Sequence, residues 1–455
     1  MDIENTIASA RHIHFIGIGG SGMFPIVQIL HKFGVHITGS DNNEGSIIDQ
    51  EREMGIEVSM GQRAENIPAG TDLVVYSAAI SSENPELIAA RESGVPTIGR
   101  ADILGYITRQ YDKCICVSGT HGKTSTTAML TQVLMESGLD PTAVIGGKLP
   151  AIGGYGRVGS TQIMTCEACE YADTFLQLTP YISLILNIDE DHMEYFGSLE
   201  NIIRSFLKFS ESAAGCLIIN GEDENCRTML SKFKGRVITF GLGEQNDYSA
   251  GNIRQLSPTR IKFELIKHGE VLCEPEISVP GRHQVLNALA ACAAAIEVGA
   301  SPAAIAESLP RFRGAGRRFE ILGNVNGVTI ADDYAHHPAE IEVTLTAART
   351  MGYRKVWAVF QPFTFSRTAR LLDDFARTLS IADHVVMSAI MGGREENTYD
   401  IHTNDLAAKI PGSMWFEGFD QIAQYVLENA QPGDLVLTMG CGDVYKCANM
   451  MVGKN

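Results

Sequence analysis

Short apolar runs that stop at a glycine turn and reopen as a helix recur along most of this chain. HIHFIG runs into GIGGSGM, and Met23 to Phe33 carries a helical pattern. VHITGSD and LVVYSAA (73–79) read as further strands, and PELIAARESG (85–94) as a helix ending on a glycine. Repeated strand–helix units with short apolar strands predict a parallel, doubly wound sheet. A second set opens at CICVSG (114–119), with a helix from Lys123 to Met135 and strands at 162–168, 182–188, 215–220 and 236–241. Three β-like segments follow between Tyr248 and Pro280, then an alanine-rich helix (285–299) and a short helix over 301–312. The run FRGAGRRFE (312–320) has no periodicity and reads as a boundary. Beyond it the alternation resumes: GVTIADDYA, a helix over 338–351, KVWAVFQ, a helix near 367–380, DHVVMSAI, a helix near 418–429, and DLVLTMGCGD.

At 455 residues the chain is too long for one core. The expected fold is α/β in three domains, each built on a mainly parallel sheet with flanking helices. They are a Rossmann-like domain over 1–108, a P-loop domain with extra β segments over 109–314, and a second Rossmann-like domain over 315–455.

The net charge of −18 argues against nonspecific nucleic-acid binding, which needs a basic surface to displace counterions. It leaves phosphorylated small molecules open, because backbone N–H groups bind phosphate locally whatever the global charge. MDIENTIASARH has neither the basic nor the apolar region of a signal peptide, and no apolar run reaches about 18 residues. No membrane association is expected, and the ten cysteines are expected to be reduced in a cytoplasmic protein. Cys166 and Cys169 form a lone C-x-x-C and read as small buried residues on strands rather than half of a zinc site.

Two glycine turns invite phosphate. In VSGTHGKTST, Gly119 and Gly122 let the backbone aim N–H groups inward, and Lys123 supplies a point charge. Thr124 offers a hydroxyl to Mg²⁺, and the following helix adds the positive end of its dipole. The full P-loop pattern asks for a further glycine where Val117 stands, so the match is partial. In FIGIGGSGM, Gly17, Gly19, Gly20 and Gly22 follow a strand, and Ser40-Asp41 closes the next one. Alone, this nearly matches a dinucleotide fingerprint with Asp41 on the ribose, but it also fits an empty βα turn or another nucleotide-diphosphate site.

Glu167 and Glu170 end one predicted strand, and Asp191 and His192 follow another; such a set can hold a divalent cation beside a triphosphate. Arg317 and Arg318 at the boundary fit either a solvated charge or a group reaching a transferring phosphoryl. DDYAHHP and FQPFTFSRT fall at strand C-termini, the edge that carries ligands in doubly wound sheets. That makes Asp333, Tyr334, His336, His337 and Arg367 candidates.

GIGGSGM, GTHGKTST, NIDEDHMEYF, NALAA, GRRFE, DDYAHHP and FQP-x-x-x-SRT, in this order over nearly the whole chain, resemble the Mur ligases. The resemblance implies an ATP- and Mg²⁺-dependent ligase joining L-alanine to the lactyl carboxylate of UDP-N-acetylmuramate through an acyl phosphate. The UDP moiety would be held by Gly17, Gly19, Gly20, Ser21, Gly22, Met23, Ser40, Asp41, Ser77 and Asn84. ATP would be held by Gly119, Thr120, His121, Gly122, Lys123, Thr124, Ser125, Asn287, Arg318 and Asp333. The metal would fall to Thr124, Glu167 and His192, and the amino acid to Tyr334, His337 and Arg367. Lys123, Glu167, His192 and Arg318 would carry the catalysis. A monomer or weak homodimer is expected.

The chain departs from the family's pattern in three places. Where many members carry a carbamylated lysine it has Phe206. It has Cys169 within EACEYAD where relatives often have an acid. Phe363 stands where histidine often follows FQP. Three other readings remain open at this level. One is a related ligase adding a preformed peptide, one a nicotinamide dehydrogenase using the first loop, and one a nonenzymatic P-loop switch.

Overall fold

The computed structural model describes residues 3–393 and 395–454. The chain divides into two compact units. One comprises residues 1–252, 263–275 and 286–310; the other comprises 253–262, 276–285 and 311–455.

In the first unit, the N-terminal sheet has five parallel strands, with His12–Ile16 in the middle. His36–Asp41 and Glu57–Met60 lie on one side, Leu73–Tyr76 and Thr97–Gly99 on the other. The strand order therefore reverses beside the first strand, and the loop leaving that strand (Gly17–Gly22) opens into the crevice where such sheets bind ligands. Gly39 is required for packing: a Cβ there would lie 2.8 Å from the Phe15 carbonyl oxygen and 2.9 Å from the Ile18 Cβ.

The same unit holds the strands of the P-loop region. Lys113–Ser118 is flanked by Ile163–Glu167 and Ile182–Ile185, all parallel. Cys216–Asn220 and Val237–Phe240 extend the parallel run outward from Ile182–Ile185. The helix after the loop, Lys123–Glu136, is buried from Thr124 to Leu134. Threonines can occupy such a helix because their hydroxyls bond back one turn: Thr127 Oγ1 donates to Lys123 O (2.8 Å) and Thr131 Oγ1 to Thr127 O (2.7 Å).

In the second unit the sheet has six strands. Glu320–Val325 pairs antiparallel with Val328–Asp333; Leu435–Met439, Val356–Phe360, His384–Ser388 and Met414–Phe416 follow in parallel. Asp333, Met439 and Phe360 stand in register at the carboxyl ends of three adjacent strands. DDYAHHP, GCG and QPFTFSRT therefore leave the sheet side by side.

Several details differ from the sequence expectation: the strands Glu57–Met60 and Thr97–Gly99 carried too short a pattern to be read, and Cys169, read as a strand residue, lies beyond Ile163–Glu167. Thr142–Leu149 and Gly154–Arg157 form a hairpin that the glycine-rich sequence concealed. The edge strand Glu320–Val325, which follows the run read as a boundary, was not expected, because its burial does not alternate cleanly and gives no period-two signal. The helix expected near 367–380 is two helices, Phe365–Arg370 and Leu372–Leu379, because Leu371 leaves helical geometry (φ −108°, ψ 23°).

Candidate functional site

The second glycine loop, in the first unit, is braced by its glycines and by a neighbouring asparagine. Gly119 (φ +138°) and Gly122 (φ +87°) adopt backbone conformations that a side chain disfavours. A Cβ on Gly122 would also come within 2.8 Å of Asn287 Oδ1. Asn187, just past the end of the neighbouring strand, braces the loop from outside. Its Oδ1 accepts from His121 N (2.8 Å), its Nδ2 donates to His121 O (3.0 Å), and its carbonyl accepts from Thr120 N (3.1 Å). The Thr120 hydroxyl accepts from Asp189 N (2.8 Å). Motif reading missed Asn187, although it sits in the same NIDEDH stretch that supplied His192.

Lys123 points back into the loop. Its Nζ donates to Gly119 O (2.5 Å), Thr120 O (3.1 Å) and both Glu170 oxygens (3.0 and 2.9 Å). Burial opposes its charge, but Glu170, Cys169 and Glu167 outweigh that and hold its pKa above the ordinary lysine value. Glu170 is thus the counter-ion of Lys123. Cys169, beside them, has its thiol pushed up to about 11 by burial and by Glu170, so it is not a thiolate near neutrality.

Glu167 ends its strand beside Thr124. Thr124 Oγ1 donates to Glu167 Oε1 (3.0 Å), and Gly146 N donates to Oε2 (2.8 Å). A Cβ on Gly146 would lie 2.6 Å from that second oxygen, so the glycine makes room for the carboxylate. His192 is in the left-handed region (φ +53°), with Nε2 3.7 Å from Asp191 and Nδ1 3.5 Å from Glu194. Among the described residues no three histidine, cysteine or acidic side chains converge into a ready-made metal site. The hydroxyl–carboxylate pair of Thr124 and Glu167 nevertheless suits Mg²⁺, which commonly takes one or two carboxylates and completes its shell with phosphate oxygens and water.

At the N-terminal sheet, Asp41 Oδ2 accepts from Gly19 N (3.0 Å) and Oδ1 from Asn43 N (3.0 Å), so Asp41 shapes the first glycine loop. Ser40 is buried and its hydroxyl donates to Glu86 Oε2 (2.8 Å); Glu86 Oε1 meets His14 Nε2 at 2.7 Å. The Ser40 carbonyl holds the start of the loop, accepting from Gly17 N (2.8 Å) and Ile18 N (3.0 Å). Ser77 Oγ accepts from Ala79 N (3.2 Å), and Ser77 Cβ would lie 3.3 Å from a Cβ on Gly17. Asn84 caps the helix Pro85–Glu92, and its amide donates to Gln62 Oε1 (2.6 Å). Ser21 and Met23 lie on the turn that leads into the helix Phe24–Lys32.

In the second unit, the neighbouring arginines Arg317 and Arg318 both lie over the Tyr334 ring, each at 5.0 Å. Arg317 is committed to structure: Nε meets Asp332 at 2.8 Å, and its other nitrogens donate to Gly442 O (3.2 Å) and Gly440 O (2.6 Å). Asp333 is buried and accepts from Phe319 N (2.7 Å) and Ala335 N (2.8 Å). Burial raises its pKa to about 6 against the opposing pull of Arg318. His336 Nδ1 lies 3.1 Å from Tyr334 O and 3.2 Å from Glu340. His337 caps the helix Pro338–Arg349. Arg367 is buried on its own short helix, behind Thr364, which is held at φ +64°. Phe363 bridges Met391 and faces Gly393, giving this end of the sheet an apolar wall.

Comparison with known proteins agrees with this arrangement. Three family models match in sequence. They are the Mur ligase family catalytic domain over 12–112, the Mur ligase middle domain over 117–295, and the Mur ligase glutamate ligase domain over 317–442. The chain is 41% identical over 449 residues to a curated UDP-N-acetylmuramate–L-alanine ligase of Alkaliphilus metalliredigens, covering 98% of this chain and 97% of that one. It is 42% identical to one of Agathobacter rectalis, covering 97% and 98%. Its fold matches the crystal structure of the UDP-N-acetylmuramate–alanine ligase of Thermotoga maritima with a TM-score of 0.83 and 29% identity, over 97% of this chain and 98% of that one. Two glycine loops on parallel sheets, a buried lysine–carboxylate pair at the second of them and a third α/β domain, matched end to end by these relatives, make this chain a member of the Mur ligase family.

Proposed function

We propose that the protein joins L-alanine to UDP-N-acetylmuramate, converting ATP to ADP and phosphate, in the synthesis of peptidoglycan precursors. The observation that carries this is the cradle of Lys123, Thr124 and Glu167, in a chain 41% identical over 98% of its length to a curated enzyme with that name. The proposed division is substrate binding over 1–108, ATP binding over 109–314 and amino-acid binding over 315–455.

A carboxylate is a poor acylating agent at neutral pH. Its attack on the γ-phosphate of ATP gives an acyl phosphate and ADP. The alanine amine then attacks the acyl carbon, and phosphate leaves as the amide forms. The protein mainly has to align the attacking and leaving oxygens and offset developing negative charge. The loop N–H groups at 119–125 and the Lys123 ammonium supply that charge balance. Thr124 and Glu167 would hold one Mg²⁺ and His192 a second, and the bound cation would supply positive charge to offset that of the phosphates. Asn287, Arg318 and Asp333 are assigned to ATP, and Tyr334, His337 and Arg367 to the amino acid. The first glycine loop, shaped by Asp41, would take the UDP diphosphate, with Ser77 and Asn84 lining the same crevice. No helix among the described residues is long and apolar enough to cross a membrane. A cytoplasmic location is proposed, since ATP and a nucleotide sugar are the proposed substrates, and a monomer or weak homodimer is proposed with it.

Phosphate release with ATP, Mg²⁺ and UDP-N-acetylmuramate tests the reading, with L-alanine, glycine, L-serine or a peptide added in turn. Release that depends on both UDP-N-acetylmuramate and L-alanine is expected. Preference for a peptide would reassign the acceptor, and release with ATP alone would overturn the ligase reading.

A further inference from the structure

Eleven described non-glycine residues have positive φ, and three of them crowd around the acidic strand ends: Ala172 (φ +53°), Asp173 (φ +58°) and His192 (φ +53°). Two consecutive left-handed residues without a glycine cost about 1–2 kcal/mol each, so the surroundings must hold them. Asp173 supplies that hold. Its Oδ2 accepts from the Tyr195 hydroxyl (3.0 Å), and its Oδ1 accepts from the hydroxyl of Ser205, which is buried on the helix Leu199–Glu211. Thr174 Oγ1 closes the same turn onto Cys169 O (2.9 Å) and Tyr171 O (3.0 Å). The Tyr171 ring lies 4.8 Å from that of His192 and 6.4 Å from that of Tyr195. The turn that follows Glu167 and Glu170 is thereby tied to the segment that carries His192.

We propose that Asp173 is a positioning residue that sets His192 relative to the Glu167–Glu170 strand end for binding of the second divalent cation. This rests on the metal role proposed above for His192. Asp173 acts through this turn: its two oxygens accept from Ser205 and Tyr195. A side chain that fixes the spacing of ligands across two chain segments changes cation affinity without changing the ligand set.

The test is Mn²⁺ binding to the full chain with a non-hydrolysable ATP analogue, read from the free-Mn²⁺ electron paramagnetic resonance signal. Asp173→Ala is expected to weaken the second, weaker Mn²⁺ about tenfold, leaving the first Mn²⁺ unchanged. Asp173→Asn should recover most of that loss, because its amide oxygen still accepts a hydroxyl and asparagine tolerates the left-handed region. If Asp173→Ala fails to fold, Tyr195→Phe combined with Ser205→Ala removes the same two hydrogen bonds and is read in the same way. His192→Ala is the reference. If it weakens the second Mn²⁺ while Asp173→Ala lowers only the melting temperature, the clamp is overturned and the metal reading stands. If neither variant changes Mn²⁺ binding, both are overturned.

Discussion

Lys123 and Glu170 form an enclosed ion pair at the second glycine loop, with side-chain exposures of 14% and 3%. Removing one member leaves the other buried without its counter-charge, a loss of roughly 3–5 kcal/mol in comparable sites. Lys123→Ala should therefore lower stability as well as abolish turnover. Lys123→Met combined with Glu170→Gln should recover much of the stability and none of the activity. Denaturant melts and phosphate release measured on the same samples check this. In both variants UDP-N-acetylmuramate should still bind, by calorimetry. Lost substrate binding with retained ATP hydrolysis would contradict the assigned roles.

Glu51 gives a second residue-scale prediction. It is fully buried on the helix Ser46–Glu53, and neither carboxylate oxygen has a hydrogen-bond partner. Burial, reinforced by Asp41, raises its pKa to about 8. The folded state thus holds a proton that the unfolded chain releases near the ordinary carboxylate pKa. The contribution to stability is greatest below that ordinary value. It falls as pH rises to about 8 and is flat above, changing by about 1.4 kcal/mol per pH unit inside the window. Glu51→Gln should flatten this slope in urea melts taken across pH 5–8. An unchanged slope would show that other groups set it.

At the scale of elements, two glycines bring chain segments together at close range. A Cβ on Gly146 would press on Glu167, the carboxylate that accepts from Thr124. Gly146→Ala should raise the Mg²⁺ concentration giving half-maximal turnover about tenfold, with little change in the KM for L-alanine; an unchanged Mg²⁺ dependence would separate Glu167 from the metal. Gly105, in the helix Arg100–Thr108, sits where a Cβ would run into the backbone carbonyl of Gln177. Backbone cannot step aside as a flexible side chain can, so Gly105→Ala should cost about 1–3 kcal/mol by overpacking. Chemical denaturation measures it, and a cost below a few tenths would mean the turn relaxes freely.

At the scale of the molecule, ligand linkage distinguishes the proposed roles of the parts. UDP-N-acetylmuramate at a hundred times its dissociation constant should stabilise the unit carrying residues 12–41 by about 2.7 kcal/mol. Proteolysis in that unit should slow accordingly in the full chain. Protection confined to the unit carrying 311–455 would place the substrate elsewhere.

The sequence by itself determined the α/β class, the two glycine loops and the strand ends that carry DDYAHHP and FQPFTFSRT. These signals are local: a loop that aims N–H groups at phosphate needs its glycines within a few residues, and a strand followed by a helix announces its own end. It also supplied Lys123, Thr124 and Glu167 in the right elements. Only the tertiary structure decided which of two adjacent arginines is bound to Asp332, that the Ser40 hydroxyl is committed to Glu86, and that Glu170 pairs with Lys123. Asn187, Gly146 and Asp173 were likewise invisible. Each works on a partner 21 to 66 residues away in sequence, or across a neighbouring element, and one sequence read along its length carries no record of which side chains meet across a sheet.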